Sequence, residues 1–135
     1  VNKTEELSYP VFVYGTLKRG GSNHSLLSPE ASQFLGSVQT VDSYPLKIGR
    51  YPFLLDKKGE DFPVLGELYK VLTPSQLEKL DWLEDHPNLY ERRLRKVTGS
   101  AYTGKAWLYF YNQMDPNLDT LPSISNFDVS AINYE

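Results

Sequence analysis

One stretch of this chain carries a complete helix-start signal, and it stands almost alone. Thr73 suits an N-cap, Pro74 the first helical position, and Gln76 the far end of a capping box. Leu72 and Leu77 flank the cap at the spacing of a hydrophobic staple. Pro87 opposes continuation, so the spacing predicts a helix over residues 74–84. The remainder reads as short β-branched and aromatic runs broken by glycine and proline. Residues 11–14, after Pro10 and before Gly15, read as a buried strand. Residues 38–41 and 44–48 are two weaker strand candidates, and Pro52, Gly59 and Pro63 mark a loop region. Residues 64–71 predict a longer strand in which Gly66 signals a bulge or a sharp bend. Residues 90–97 and 106–112 supply the last two strands. One helix among five or six strands defines an α+β domain. The short strands and the internal glycine favour a small barrel or a strongly curved sheet, whose mouth offers a ligand site.

The 135 residues suit a single domain, with a core over about 9–112 and an irregular tail over 113–135 that carries Pro116, Pro122 and several serines. There is no cysteine, which excludes disulfides, thiolate metal sites and cysteine nucleophiles and fits a reducing, cytoplasmic setting. No apolar run is long enough to span a bilayer, and residues 1–8 are polar and acidic, so neither a membrane association nor a secretory signal is expected. Two tripeptides, Asn2-Lys3-Thr4 and Asn23-His24-Ser25, match the glycosylation acceptor pattern and are taken as chance matches. A net charge of −3 argues against nucleic acid as the main partner. Arg92, Arg93, Arg95 and Lys96 then read as a solvated strand face, with an interaction patch as the alternative. With no coiled coil or long apolar edge, a monomer is expected.

Few residues offer chemistry. The turn Tyr14-Gly15-Thr16-Leu17-Lys18 leaves the end of a buried strand, and Gly15 lets the backbone approach a ligand. Successive N–H groups in such a turn can form a concave anion site; the alternative is a plain strand-to-loop turn. It lacks the glycine spacing of a phosphate loop or a dinucleotide fingerprint. Glu84 falls in helical phase with Leu77 and Leu80, near the core-facing stripe. Burial, the helix C-terminus and Asp81 one turn earlier would each raise its pKa, as a base working near neutral pH requires. The alternative is that the helix ends early and leaves Glu84 in solvent. Tyr90 and Tyr111 are candidate pocket hydroxyls, or ordinary sheet aromatics. Asp61 with Glu84 could form a glycosidase pair, but nothing marks a sugar cleft. His24 and His86 have no partner at metal-ligand spacing, so no metal site is expected.

These residues also carry a resemblance. Val11-Phe12-Val13-Tyr14-Gly15-Thr16-Leu17-Lys18-Arg19-Gly20, followed by Asn23-His24, resembles the N-terminal signature of the γ-glutamylcyclotransferase superfamily, and within it the γ-glutamylamine cyclotransferase branch. Tyr44-Pro45-Leu46, then Gly66-Glu67-Leu68-Tyr69 within residues 64–71, are similar to two further family blocks. Leu80-Asp81-Trp82-Leu83-Glu84, with Pro87 and Leu89-Tyr90-Glu91-Arg92, resembles the block that holds the family's catalytic glutamate. The similarity covers residues 11–111, and the tail after Asn112 has no counterpart. The resemblance implies a small β-barrel with flanking helices, Glu84 as general base, and a substrate site formed by Tyr14, Gly15, Thr16, Leu17 and Tyr90. It implies a small-molecule γ-glutamyl substrate, no cofactor, and release of 5-oxoproline and a free amine. The alternatives are a binding module on the same fold, or a member acting on glutathione or γ-glutamyl amino acids.

Overall fold

Residues 11–14 are apolar without alternation because both faces of their strand are covered. In the computed structural model, which describes residues 8–49 and 51–128, β1 (Tyr9–Val13) is a barrel strand packed on both sides. Phe12 points into one buried cluster and its neighbours Val11 and Val13 into another, the period-two alternation of a strand. The other barrel strands are β2 (Ser32–Tyr44), β5 (Phe62–Val71), β6 (Tyr90–Thr98) and β7 (Thr103–Tyr111). They close in the order β1-β5-β2-β6-β7. All pairings around the ring are antiparallel except the last, where β1 meets β7 in parallel with Val11 opposite Trp107. A small sheet, β4-β3-β8, flanks the barrel, formed by β3 (Leu46–Ile48), β4 (Pro52–Leu54) and β8 (Ser123–Ile124).

The first cluster draws Phe12, Val38, Val64, Leu68, Val97, Leu108 and Phe110 from all five barrel strands and fills the barrel. The second joins Val11, Val13, Tyr69 and Tyr109 of the wall to Leu77 and Leu80 of α1 (Pro74–Leu83), the only α-helix among the described residues. The Thr73 hydroxyl accepts the Gln76 N–H at 3.1 Å, as the cap signal required. Gln76 does not complete a capping box. Its side-chain amide instead donates to the Leu26 carbonyl at 2.7 Å, which satisfies a polar group that is 2% exposed. The helix ends at Leu83, and Asp85 turns the chain away at φ 52°.

Three sequence expectations need correction. Residues 38–41 and part of 44–48 are not separate strands. β2 runs unbroken from Ser32 to Tyr44 and takes its bends at register shifts between Phe34 and Gly36 and between Gln39 and Ser43. Pro52 opens β4 and Pro63 sits at the start of β5, where a missing N–H costs no ladder bond. Gly66 makes a regular pair with Val38, so it is not a bulge. A Cβ there would lie 2.5 Å from the Val13 carbonyl oxygen and 2.6 Å from the Phe12 ring, so the glycine is required by close approach inside the barrel.

The basic run on β6 is paired rather than simply solvated. Asp56 accepts from Arg93 at 2.7 Å and from Arg95 at 2.6 Å, and Arg92 binds Asp81 at 2.8 Å while stacking over Trp107. Asp56→Asn would leave two neighbouring guanidiniums sharing a neutral partner. The expected loss is ~1 kcal/mol, since the arginines remain partly solvated, and it is read as a lower urea midpoint at unchanged slope. The segment after Asn112 contains a 3₁₀ turn (Pro116–Thr120) and then β8, which pairs with β3. Asn2-Lys3-Thr4 lies outside the described residues.

Candidate active site

Four stretches of chain converge on one cavity of about 380 Å³, within the range typical of small-molecule sites. The end of β1 and the loop after it contribute Tyr14, Gly15, Thr16 and Leu17. The end of α1 and the turn after it contribute Leu83, Glu84 and Leu89. The start of β6 contributes Tyr90, and β7 contributes Tyr109 and Tyr111. Tyr51, Pro52 and Phe53 also line it, with Phe12 and Val13 of β1 and Asn23. All six site residues named from the sequence therefore share one cavity, together with Tyr111. Asp61 lies in an exposed turn and is not in the lining, so the glycosidase pair does not form. His24 bonds the Leu17 carbonyl through Nδ1 at 3.0 Å, and His86 Nδ1 accepts the Arg92 N–H at 3.2 Å. No group of three metal-ligand side chains occurs among the described residues.

The helix end and the strand start are tied together at Glu84. Its N–H donates to the Leu80 carbonyl at 3.1 Å, and its carbonyl accepts the Tyr90 N–H at 3.2 Å. The C-cap position thus fixes the glutamate beside Tyr90 within the cavity. Among the described residues its carboxyl has no hydrogen bond or ion pair, and burial pushes its pKa up to about 7. The sequence expectation of a raised value holds, but its cause is narrower. Asp81 plays no part, because it is engaged elsewhere: Arg92 Nε donates to it at 2.8 Å and the Tyr109 hydroxyl at 2.6 Å.

The loop is closed by its own backbone. The Lys18 N–H donates to the Gly15 carbonyl at 3.0 Å and the Asn23 N–H to the Thr16 carbonyl at 3.0 Å. Asn23 Nδ2 also holds the Thr16 hydroxyl at 2.9 Å. The N–H groups of Gly15, Thr16 and Leu17 find no backbone acceptor among the described residues. Gly15 is required by space: a Cβ would lie 2.8 Å from Cγ of Pro52.

The tyrosines are held as well. The Tyr14 hydroxyl donates to the Tyr109 carbonyl at 2.6 Å and the Tyr90 hydroxyl to the Pro52 carbonyl at 3.0 Å. Their single protons are thereby committed; the Tyr14 oxygen also takes a backbone hydrogen bond from Leu54, while the Tyr90 oxygen keeps capacity to accept. Burial raises the pKa of Tyr14 and Tyr90 above the usual phenol range, reinforced by Glu84 in both cases. Sequence reasoning missed Tyr51, Phe53 and Tyr109. Tyr109 had a usable signal, since it stands two residues before Tyr111 and so faces the same side of β7.

A closed barrel whose mouth encloses a buried, unpaired carboxylate and the Gly15–Leu17 loop defines a pocket suited to a small molecule. Residues 11–128 match the family described as Gamma-glutamyl cyclotransferase, AIG2-like, and the chain belongs to that family. Gamma-glutamylaminecyclotransferase A of Danio rerio is 35% identical over 130 residues, spanning 90% of this chain and 80% of that protein. Gamma-glutamylaminecyclotransferase of Bos taurus is 35% identical over 127 residues, spanning 88% of this chain and 75% of that one. The crystal structure of an AIG2-like protein from Mus musculus superposes with a TM-score of 0.84 at 32% identity, covering 90% of this chain and 89% of that one. The small mixed barrel is thus the fold of this family, as the sequence led one to expect. Among the described residues no helix is long and apolar enough to cross a membrane.

Proposed function

We propose that the protein cleaves γ-glutamylamines, with γ-glutamyl-ε-lysine as the preferred class of substrate, and releases 5-oxoproline and the free amine. The observation that carries this is the Glu84 carboxyl, raised to about 7 in a cavity it shares with the N–H groups of Gly15, Thr16 and Leu17. The substrate's α-ammonium must lose a proton before its nitrogen can attack, and Glu84 accepts it. The freed amine forms a bond to the γ-carbonyl carbon of the same molecule. The cavity's main task is to fold the substrate so that these atoms meet. The loop N–H groups are suited to the α-carboxylate or to the oxygen that becomes negative as the ring closes. Collapse breaks the bond to the leaving nitrogen, and Glu84 passes to it in turn the two protons the α-nitrogen gives up, so the ring keeps a single N–H, the amine leaves as an ammonium and the carboxylate is regenerated. Tyr90 serves in the wall with its ring and an accepting oxygen, which suits an ammonium better than a carboxylate.

The leaving group is argued from the rest of the lining. Phe53 meets Tyr111 edge-on at 4.9 Å, and Tyr111 meets Tyr90 at 5.4 Å. Such a wall favours the long alkyl stem of a lysine side chain over the compact polar leaving group of glutathione. The names of the Danio rerio and Bos taurus relatives agree with an amine leaving group. Offered γ-glutamyl-ε-lysine, γ-glutamyl-alanine and glutathione separately, the protein is expected to release 5-oxoproline fastest from the first. The expected margin in kcat/KM is ~10-fold or more, followed by mass spectrometry. A preference for glutathione would reject the substrate assignment. Silence on all three from folded protein would reject the activity, and tight binding without product would mark a ligand-binding module.

A further inference from the structure

Lys18 is buried where a lysine is normally solvated: it is 8% exposed. Its ammonium donates to Asn126 Oδ1 at 2.8 Å and to the Phe127 carbonyl at 2.6 Å. These contacts join positions more than a hundred residues apart, and Phe127 is itself 2% exposed. A buried ammonium is tolerated only with such partners. Burial lowers its pKa, while Glu67 and Asp128 oppose the shift.

Lys18, Asn126 and Phe127 do not line the cavity themselves, but each end of their link is joined to its wall. Lys18 is one hydrogen-bonded turn from Gly15, and the next residue is held too, since the Arg19 N–H donates to Glu67 of β5 at 2.9 Å. The segment 123–127 is fastened as well. Ser123 and Ile124 pair with Lys47 and Leu46 of β3, and the Ser125 carbonyl accepts the Leu65 N–H at 2.7 Å. β3 in turn carries β4, with Lys47 opposite Phe53 and Ile48 opposite Pro52. Pro52 and Phe53 line the cavity, and Pro52 packs on Gly15. Thus one segment touches the loop through Lys18 and a second wall through β3 and β4.

We infer that Lys18 is a positioning residue for the reaction, fixing the Gly15–Leu17 loop against the C-terminal segment 123–127 so that the loop keeps its place in the cavity wall. This rests on the cyclotransferase assignment for its effect on turnover, but not for the coupling itself. Because the loop would hold substrate and transition state alike, its loosening acts mainly on KM. Lys18→Met is expected to raise KM for γ-glutamyl-ε-lysine ~10-fold with kcat within ~3-fold, and Asn126→Ala, which keeps the Phe127 carbonyl, to raise it ~3-fold. The double variant should be no worse than Lys18→Met alone, since both act through one link. A merely structural role would lower the folded fraction, which cuts kcat and leaves KM unmoved; that result overturns the inference. Amide hydrogen exchange gives a second readout that needs no substrate. In Lys18→Met the amides of Lys18, Asn23 and Leu65 should exchange ~10-fold faster while those of β6 and β7 stay unchanged. Equal exchange at the loop overturns the coupling. Faster exchange in a protein that releases no 5-oxoproline rejects the activity and leaves the coupling standing.

Discussion

Glu84→Gln is expected to lower kcat for 5-oxoproline release about 10³-fold while making the protein more stable at pH 8. In the proposed reaction the loss follows from removing the group that takes the proton of the attacking amine, since general-base contributions run at ~10²–10⁴-fold. KM should move little, because glutamine keeps the shape of the side chain. The gain follows from linkage. Burial lifts the carboxyl from its ordinary 4.5 to about 7 in the folded chain. Between those pH values the folded state holds a proton that the unfolded state has released, so stability falls as pH rises through this window and is level above it. The full penalty at pH 8 is about 3 kcal/mol, which glutamine does not incur. The wild type should therefore unfold more readily at pH 8 than at pH 5, and the variant should show little of that difference. The same ionisation predicts that wild-type kcat/KM falls tenfold per pH unit below about 7, as the base becomes protonated. An active variant, or a flat profile from pH 5 to 8, would remove Glu84 from the role of base.

The second large effect concerns the barrel and not its chemistry. Gly66→Val should cost about 3 kcal/mol or more and lower Tm by ~10 °C or more. The Cβ alone would sit 2.5 Å from the Val13 carbonyl oxygen, a backbone atom of the paired strand, and 2.6 Å from the ring of a fully buried Phe12. Neither neighbour can swing away, because Phe12 fills the barrel and Val13 pairs with Glu67 beside it. Gly59→Val provides the contrast in space, since nothing lies within 4 Å of its added Cβ. Its φ of +95° still imposes local strain, but the cost there should stay near 1 kcal/mol. Thermal denaturation of both variants separates a packing demand from a purely conformational one.

What could be read from the chain beforehand divides along physical lines. Local signals survived: the Thr73 cap, the buried run at residues 11–14, and Glu84 in phase with Leu77 and Leu80. Each depends on residues a few positions apart. Beyond strand limits, the failures involved partners outside the local window. Gln76 was given to a capping box because Leu26, its actual acceptor, is fifty residues distant. Asp81 was counted as a neighbour that would raise the Glu84 pKa, whereas Arg92 and Tyr109 hold it from β6 and β7. Gly66 carried the right warning with the wrong cause, because the crowding atoms belong to β1. Tyr51 and Phe53 went unnoticed since a proline-marked loop gave no reason to bring them to the cavity; β3 and β8 provide that reason.

The ring is sealed where β1 runs parallel to β7, Val11 beside Trp107. On a chain emerging from the ribosome, β1 is made first and waits for both of its neighbours, β5 and then β7. Pairings of that sequence separation form late and slowly. Until β7 has been synthesised, the strand that carries the Gly15 loop has an open flank, and the wall holding Tyr109 and Tyr111 does not exist. Nascent chains should thus lack the pocket until β7 has emerged, and the pocket arises late in the folding of the barrel.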